Sequence, residues 1–488
     1  MVFQNNVLSG AAGSGTTAYA IDQSIRFDAV NKSFITEDSG GSFSKETTST
    51  ISMWVKRGGI YIGSGTRNVF YGAFYGNSGR YDYMQFDSSD RWEFGTLNTD
   101  ATTSTGTNSP HRVTNMVFRD PAAWYHLVIV LDSTNAVASE RIRMFVNGER
   151  ITSFATETAI PQNRGFYTMS AGVENNVGAF QDDTSYNQEL YFDGCMAEVA
   201  LIDGTAYDAS NFGEYNSSNI WIPKDISELT FGSNGIYYKG QDSSALGDDS
   251  SGNGNDGTVR NLGAHDQMLD TPTNNFCTPN PLDNYYCACT FNNANMIVDT
   301  SNTPYSYFTT TQKIPTSGKW YAECRAYDTT GHMLLGIAQE IAQNNQHYLG
   351  HYSTNYAYYN YNGKSITGTT QSTYGNTYTN GDIIGIAVDM DNNKLYFSKN
   401  GTFQNSGAPT SGSTGTGAIS ITGGVDYFYA GSDYGSGSGS DFRWNFGQDP
   451  TFSDGVTAGG NSDANGIGNF KYSVPSGYLA LCTKNLGS

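Results

Sequence analysis

The sequence predicts an all-β protein: two antiparallel, jelly-roll-like β-sandwiches behind a flexible N-terminal arm. Three observations carry this. In Asp382 to Gly401, Ile384, Ile386 and Val388 alternate with smaller or polar residues, as do Leu395 and Phe397 after an Asp-Asn-Asn turn. Side chains alternate faces at period two in a strand, so this stretch is a half-buried hairpin. The same pattern recurs in the first half, where AWYHLVIVLD (Ala123 to Asp132) precedes RIRMFVNGERI (Arg141 to Ile151), with Asn147-Gly148 as the turn. The composition agrees: 57 glycines, 14% aromatic residues and only 15% charged residues mark a turn-rich β-protein.

Taken in order, residues 1–20 are small and Gly/Ala/Ser-rich with no period, which predicts a flexible docking arm. AYAIDQSIRFD opens the β text, and STISMWVKRG (Ser49 to Gly58) sets Ile51, Met53 and Val55 on one face. LYFDGCMAEVALIDG (Leu190 to Gly204) is a further apolar strand region between Asp-Gly turns. The first sandwich is expected over 21–270, followed by a Pro- and Asn-rich linker at 271–285. The second, 286–488, holds GKWYAECRAY, LLGIAQ, the Tyr-rich HYSTNYAYYNYNGK (His351 to Lys364), the central hairpin and an aromatic strand after the Gly/Ser loop Gly435 to Ser440.

The hairpin, with its GDxIGxxxDxxxxxLxFxxNG pattern, resembles a SPRY domain. Trp124, His126 and the Val146-Asn147-Gly148 run make the first half similar to laminin G or concanavalin A-like sandwiches. The opening MVFQNN with IDQSIRF, then FRDPAAWYH, FDGCMAEVALIDGTA and the closing SGYLALCTKNL, resemble virion proteins of marine bacteriophages. That last resemblance implies a fibre or appendage on the particle: assembled in the host cytoplasm, docked on tail or capsid proteins through Met1 to Ala20, homo-oligomeric, and exposing its sandwiches to a host-surface glycan or receptor. A particle-bound polysaccharide depolymerase and a purely structural decoration or cement protein are the alternatives.

A formal charge of −20 argues against nucleic acid and anionic membranes, which need a basic footprint. No apolar run reaches the ~20 residues that span a bilayer, and the N-terminus lacks the basic start and apolar core of a secretion signal. Cys195, Cys277, Cys287, Cys289, Cys324 and Cys482 show neither disulfide-scaffold nor zinc-ribbon spacing, and read as ordinary thiols folded in a reducing cytoplasm. No Glu-x-Asp-x-Glu, His-Glu-x-x-His or Gly-x-Ser-x-Gly run is present, so a non-enzyme is expected.

Two groups remain as candidate sites. Tyr352, Tyr356, Tyr358, Tyr359 and Tyr361 offer flat apolar faces and hydroxyls suited to sugar rings or protein surfaces, although alternation assigns at least one pair to the core. Asp248, Asp249, Asn253, Asn255 and Asp256 form an oxygen-rich loop of the kind that takes calcium; a solvated Asn/Gly turn is the alternative, and no other cofactor is expected. His347 and His351 are the one histidine pair with near-ligand spacing.

Overall fold

The computed structural model describes residues 19–38, 44–60, 68–75, 81–97, 109–180, 190–285, 289–300, 305–339, 347–435, 438–453 and 455–487. Residues 1–18 of the expected arm and Cys287 lie outside these. The chain divides into two compact units, 1–273 and 274–488.

Unit 1 is built on two antiparallel sheets. The first runs, in spatial order, Glu149–Arg150, Ile142–Val146, Trp124–Asp132, Thr48–Arg57, Gly194–Asp203, Ser24–Phe27 and Gln267–Met268, with Ile236–Tyr238 also pairing with Gly194–Asp203. The second runs Phe154–Glu157, Ser109–Val117, Arg91–Leu97, Tyr81–Phe86, Asn68–Phe74, Glu174–Val177, Phe34–Asp38 and Thr258–Arg260. Alternation places Ile51, Met53 and Val55 beside Leu127, Ile129 and Leu131 on the inner face, where they meet Phe70, Met84, Phe86, Trp92 and Phe94 of the other sheet. The chain enters and leaves this unit at one place. Ile21 N donates to Thr273 Oγ1 at 3.1 Å, and that hydroxyl donates back to Ile21 O at 2.8 Å. Three residues further in, Ser24 Oγ donates to Asp270 O at 2.6 Å.

Unit 2 repeats the plan. One sheet runs Pro279–Tyr285, Tyr307–Thr310, Phe428–Asp433, Met333–Ala338, Asn355–Tyr359, Lys364–Thr367 and Thr370–Thr373. The other runs Thr290–Asn292, Ile297–Asp299, Asp441–Asn445, Lys319–Asp328, Ile383–Asp389, Lys394–Lys399 and Thr402–Phe403. The central hairpin forms in the expected register, Ile386 opposite Phe397 and Val388 opposite Leu395. Asn393 and Asn400 take the left-handed backbone, φ 56° and 49°, that their turns require. Ile384, Ile386, Val388, Leu395 and Phe397 pack with Phe308, Leu335, Ile337, Phe442 and Trp444 between the sheets.

The expected linker is a correction. Phe276 and Cys277 are fully buried and Pro279–Tyr285 is a strand paired with Tyr307–Thr310. Proline is tolerated there because the strand lies at the sheet edge, Pro279 opens it and Pro281 falls where the register shifts, so no regular ladder is interrupted.

The outer face of the second sheet carries Glu323, with no exposure to solvent. Its carboxylate accepts from the backbone N–H of Lys471 (2.8 Å) and Tyr472 (2.9 Å), from the Tyr321 hydroxyl (3.2 Å) and from Asn445 Nδ2 (3.3 Å). Burial outweighs these donors and pushes the carboxyl up to about 7. The residue thus pins the C-terminal segment onto the sheet. Among the described residues the α-helix is Thr483–Leu486, and no helix is long and apolar enough to cross a membrane.

Candidate functional site

The five tyrosines separate as strand geometry dictates. Asn355–Tyr359 lies between Met333–Ala338 and Lys364–Thr367, so its residues alternate between the sandwich interior and the outer face. Tyr356 and Tyr358 point inward and belong to the main core, 6% and 0% exposed. Tyr359, 4% exposed, packs on the outer face with Leu334, Leu349, Ala357 and Ile366. These three are removed from the expected binding set, because their faces are covered by the protein itself. Tyr352 and Tyr361 remain available, at 37% and 64% exposure.

The fold adds partners that sequence order hid. Tyr361 lies 4.5 Å from the His332 ring, centroid to centroid, and 5.9 Å from Tyr359. Tyr359 donates or accepts a hydroxyl hydrogen bond with His332 Nδ1 at 3.0 Å, which fixes the imidazole under Tyr361. Tyr434, 37% exposed, contacts Tyr359 at 5.8 Å and Tyr348 at 4.4 Å, and Tyr348 continues to Tyr305 at 6.1 Å. The imidazoles of His347 and His351 stack at 3.9 Å, and each lies 5.0 Å from Tyr352. Tyr348 joins this pair to the rest through His351 at 5.5 Å. The result is a continuous aromatic ledge on the outer face of one sheet. Rings held by their neighbours lose little freedom when a ligand stacks on them, which favours binding. The histidines therefore serve as packed rings, and among the described residues no cluster of three or more His, Cys, Asp or Glu is placed to hold a metal ion.

Asp433 anchors the ledge from below. Its carboxylate accepts from Thr300 Oγ1 at 3.0 Å and from Gly435 N at 2.8 Å, tying down the start of the Gly435 to Ser440 loop next to Tyr434. Burial pushes this carboxyl up to about 7.

On the other sheet of unit 2, the register lines up three carboxylates. Asp299 and Asp328 are both partners of Asp441 on adjacent strands, so all three share one face. Burial, together with repulsion from Asp328, raises the Asp299 carboxyl; Asp441 is raised chiefly by burial despite its bond to Arg443. Tyr327, displaced by the bulge there, is 44% exposed with the Arg443 guanidinium 3.4 Å from its ring centroid.

The Asp/Asn loop is built as a turn and does not fit calcium. Asp249 Oδ1 accepts from Tyr237 N and Ser251 N, both at 2.9 Å, and Oδ2 accepts from Ser251 Oγ at 2.6 Å and Asn255 N at 3.0 Å. Asp256 Oδ1 accepts from Asp249 N at 2.9 Å. Asn253 and Asn255 turn their amide nitrogens onto the carbonyls of Gly232, Ser233 and Gly235. Asp248, next in the chain to Asp249, is exposed to solvent. Oxygens occupied by backbone donors do not converge on a cation.

Unit 1 has a buried polar centre of its own. Trp221 Nε1 donates to His126 Nδ1 at 2.9 Å, and His126 Nε2 is 2.9 Å from Ser52 Oγ. An indole nitrogen only donates, so the imidazole proton sits on Nε2 and is directed at the serine. A general base would present a lone pair to Ser52; this ring presents a proton, and burial lowers it to about 3. The pair is a core contact, with Trp54 stacked on the imidazole at 4.7 Å. Nearby, Glu198 sits at a bulge with φ 50° and is 6% exposed. It accepts from the Tyr237 hydroxyl and, at 3.2 and 3.3 Å, from that of Tyr19. Tyr19 is thereby fixed to unit 1, so residue 19 belongs to the folded unit rather than to the expected arm.

Two family models match parts of the chain. A laminin G-type model of the Concanavalin A-like lectin/glucanases superfamily matches residues 29–209, and a model of the SPRY domain matches residues 319–419. No curated protein matches the chain. Similar solved structures include the SPRY domain of human HERC1, at 17% identity over 34% of this chain and 96% of that one with a TM-score of 0.28. Another is a heptameric SAP-like pentraxin from Limulus polyphemus, at 12% identity over 36% of this chain and 79% of that one, TM-score 0.24. By its family matches, the chain carries a laminin G-like, concanavalin A-like domain followed by a SPRY domain.

Proposed function

We propose that this is a non-enzymatic bacteriophage virion protein, a fibre or appendage that attaches the particle to a glycan or receptor on the host surface. Lectin-like and SPRY sandwiches suit binding and adhesion, and the aromatic ledge from Tyr305 to Tyr434 is the observation that carries the reading. Its exposed rings, Tyr352, Tyr361 and Tyr434, present flat faces and hydroxyls over a base already packed. In this reading residues 1–18 dock on other virion proteins, with Tyr19 anchoring them to unit 1, and several copies assemble on the particle surface. Neither nucleic acid nor membrane insertion enters.

The test is incubation of the purified chain with envelope polysaccharide from candidate hosts, measuring retention on the polymer and release of reducing ends. Retention that falls in Tyr361→Ala and Tyr352→Ala supports the proposal; retention indifferent to both substitutions rejects the ledge as the site. A depolymerase is the second reading, favoured by the row Asp299, Asp441 and Asp328 with its raised carboxyls. Release of reducing ends that is lost in Asp441→Asn would establish it.

A further inference from the structure

Across four neighbouring strands of the first sheet in unit 1, the register sets Arg26, Cys195, Lys56 and Trp124 in one row, each opposite the next. The row lies on the outer face, where the last segment of the unit covers it. Arg26 Nε meets Asp266 Oδ1 at 3.2 Å. Lys56 Nζ lies 2.6 Å from Asp270 Oδ2, and Trp124 Nε1 donates to Asp270 Oδ1 at 3.1 Å. The Lys56 and Asp270 side chains are 5% and 3% exposed, whereas Lys319 and Lys399, in comparable pairs of unit 2, keep 23% and 25%. A lysine and a carboxylate are thus held in contact, out of water, between residues 214 positions apart.

We propose that Lys56 and Asp270 condense into an isopeptide bond, a covalent staple between the central strand Thr48–Arg57 and the final segment of unit 1. The reaction balances within the pair. Passage of a proton from the ammonium to Oδ2 leaves a neutral amine and a carboxylic acid. Nζ then attacks the carboxyl carbon, forming the C–N bond. The C–Oδ2 bond breaks, and Oδ2 departs as water with two of the three ammonium protons, while the third remains as the amide N–H. Oδ1 becomes the amide carbonyl oxygen. No oxidant, reductant or cofactor is consumed.

Trp124 has a defined part in this. Its indole N–H already points at Oδ1, the atom on which negative charge develops during attack, and so acts as an oxyanion donor. Fixed contact supplies the rest, since well-oriented intramolecular reactants reach effective concentrations of about 10⁵ M or more. Once formed, the amide is buried where hydrolytic water is excluded.

The experiment is mass spectrometry of the denatured full-length chain and of its tryptic digest. The expected intact mass is lower than that of the sequence by about 18 Da, one water. The expected digest contains a branched peptide joining Lys56 to Asp270, with no cleavage after Lys56. Asp270→Ala should abolish the branched peptide and restore cleavage, and Trp124→Phe should reduce the stapled fraction. Aspartate cyclisation also removes water, so the branched peptide is decisive. Wild-type protein of full sequence mass and cleaved after Lys56 would show a plain ion pair and overturn the proposal. Both readouts are taken on the wild-type chain, so they decide the matter even where the variants fail to fold.

Discussion

Glu323 makes the stability of unit 2 depend on pH with an unusual sign. A carboxyl that is free in the unfolded chain near 4.5 is pushed up to about 7 by burial when the unit folds. The folded state therefore favours the protonated form. The stabilisation is complete below pH 4.5 and is lost as pH rises through about 7. The interval from 4.5 to about 7 corresponds to about 3 kcal/mol. Glu323 is fully enclosed, so solvent screening does not reduce this figure. Glu323→Gln loses some of the four hydrogen bonds, because its amide nitrogen confronts donors, but that loss is independent of pH. Stability minus that of Glu323→Gln should therefore fall by about 3 kcal/mol between pH 4 and pH 8. Taking the difference cancels all other titrating groups. Met333 and Met390, buried in unit 2, report its unfolding alone when peroxide oxidation is followed across a urea series. A difference that stays flat over this range, or rises with pH, would refute the reasoning.

Other expectations follow from the same geometry. Tyr361→Ala and Tyr352→Ala should each weaken polysaccharide retention several-fold while leaving the thermal midpoint of the chain nearly unchanged, since exposed substitutions alter stability by about 0.5 kcal/mol or less. Asp249→Ala, by contrast, should destabilise unit 1 by about 1–3 kcal/mol, because it leaves several turn donors without an acceptor. A chelator should not move the wild-type midpoint; a calcium-dependent increase would reinstate the loop as a cation site. Deleting residues 1–18 should abolish incorporation into particles with the sandwiches intact, and Tyr19→Phe should lower the stability of unit 1 by about 1 kcal/mol through the lost bond to Glu198. Chemical denaturation measures each stability change, and particle composition measures incorporation.

What was legible in the sequence was whatever is encoded within one hairpin. Ile384, Ile386 and Val388, or Ile51, Met53 and Val55, declare their common face through a period of two, and Asn393 and Asn400 announce their turns. The ledge was only partly legible. Its run of tyrosines was visible, but which ones face outward depends on the sheet that Asn355–Tyr359 joins. Tyr305, Tyr434 and His332 reach it through strands paired across a hundred residues or so. The row Asp299, Asp328 and Asp441 escaped for a related reason: each strand contributes a single acid, so no local motif exists. The oxygen-rich loop misled because composition does not reveal whether carboxylates face outward to an ion or inward to backbone amides.

The joined ends of unit 1 have a mechanical consequence. Tension along the chain across unit 1 would act between residue 21 and residue 273, which are hydrogen-bonded to each other. The force would cross a few residues at one corner and bypass the sandwich. Peeling of the last segment from Arg26 and Lys56 would stop at Asp270 where the proposed bond to Lys56 has formed, and would run on past Asp270 and Asp266 where only the ion pairs hold it. The breaking load of the first domain is thus set at that corner, by whether its last segment is held to Lys56 through an ion pair or through a covalent bond.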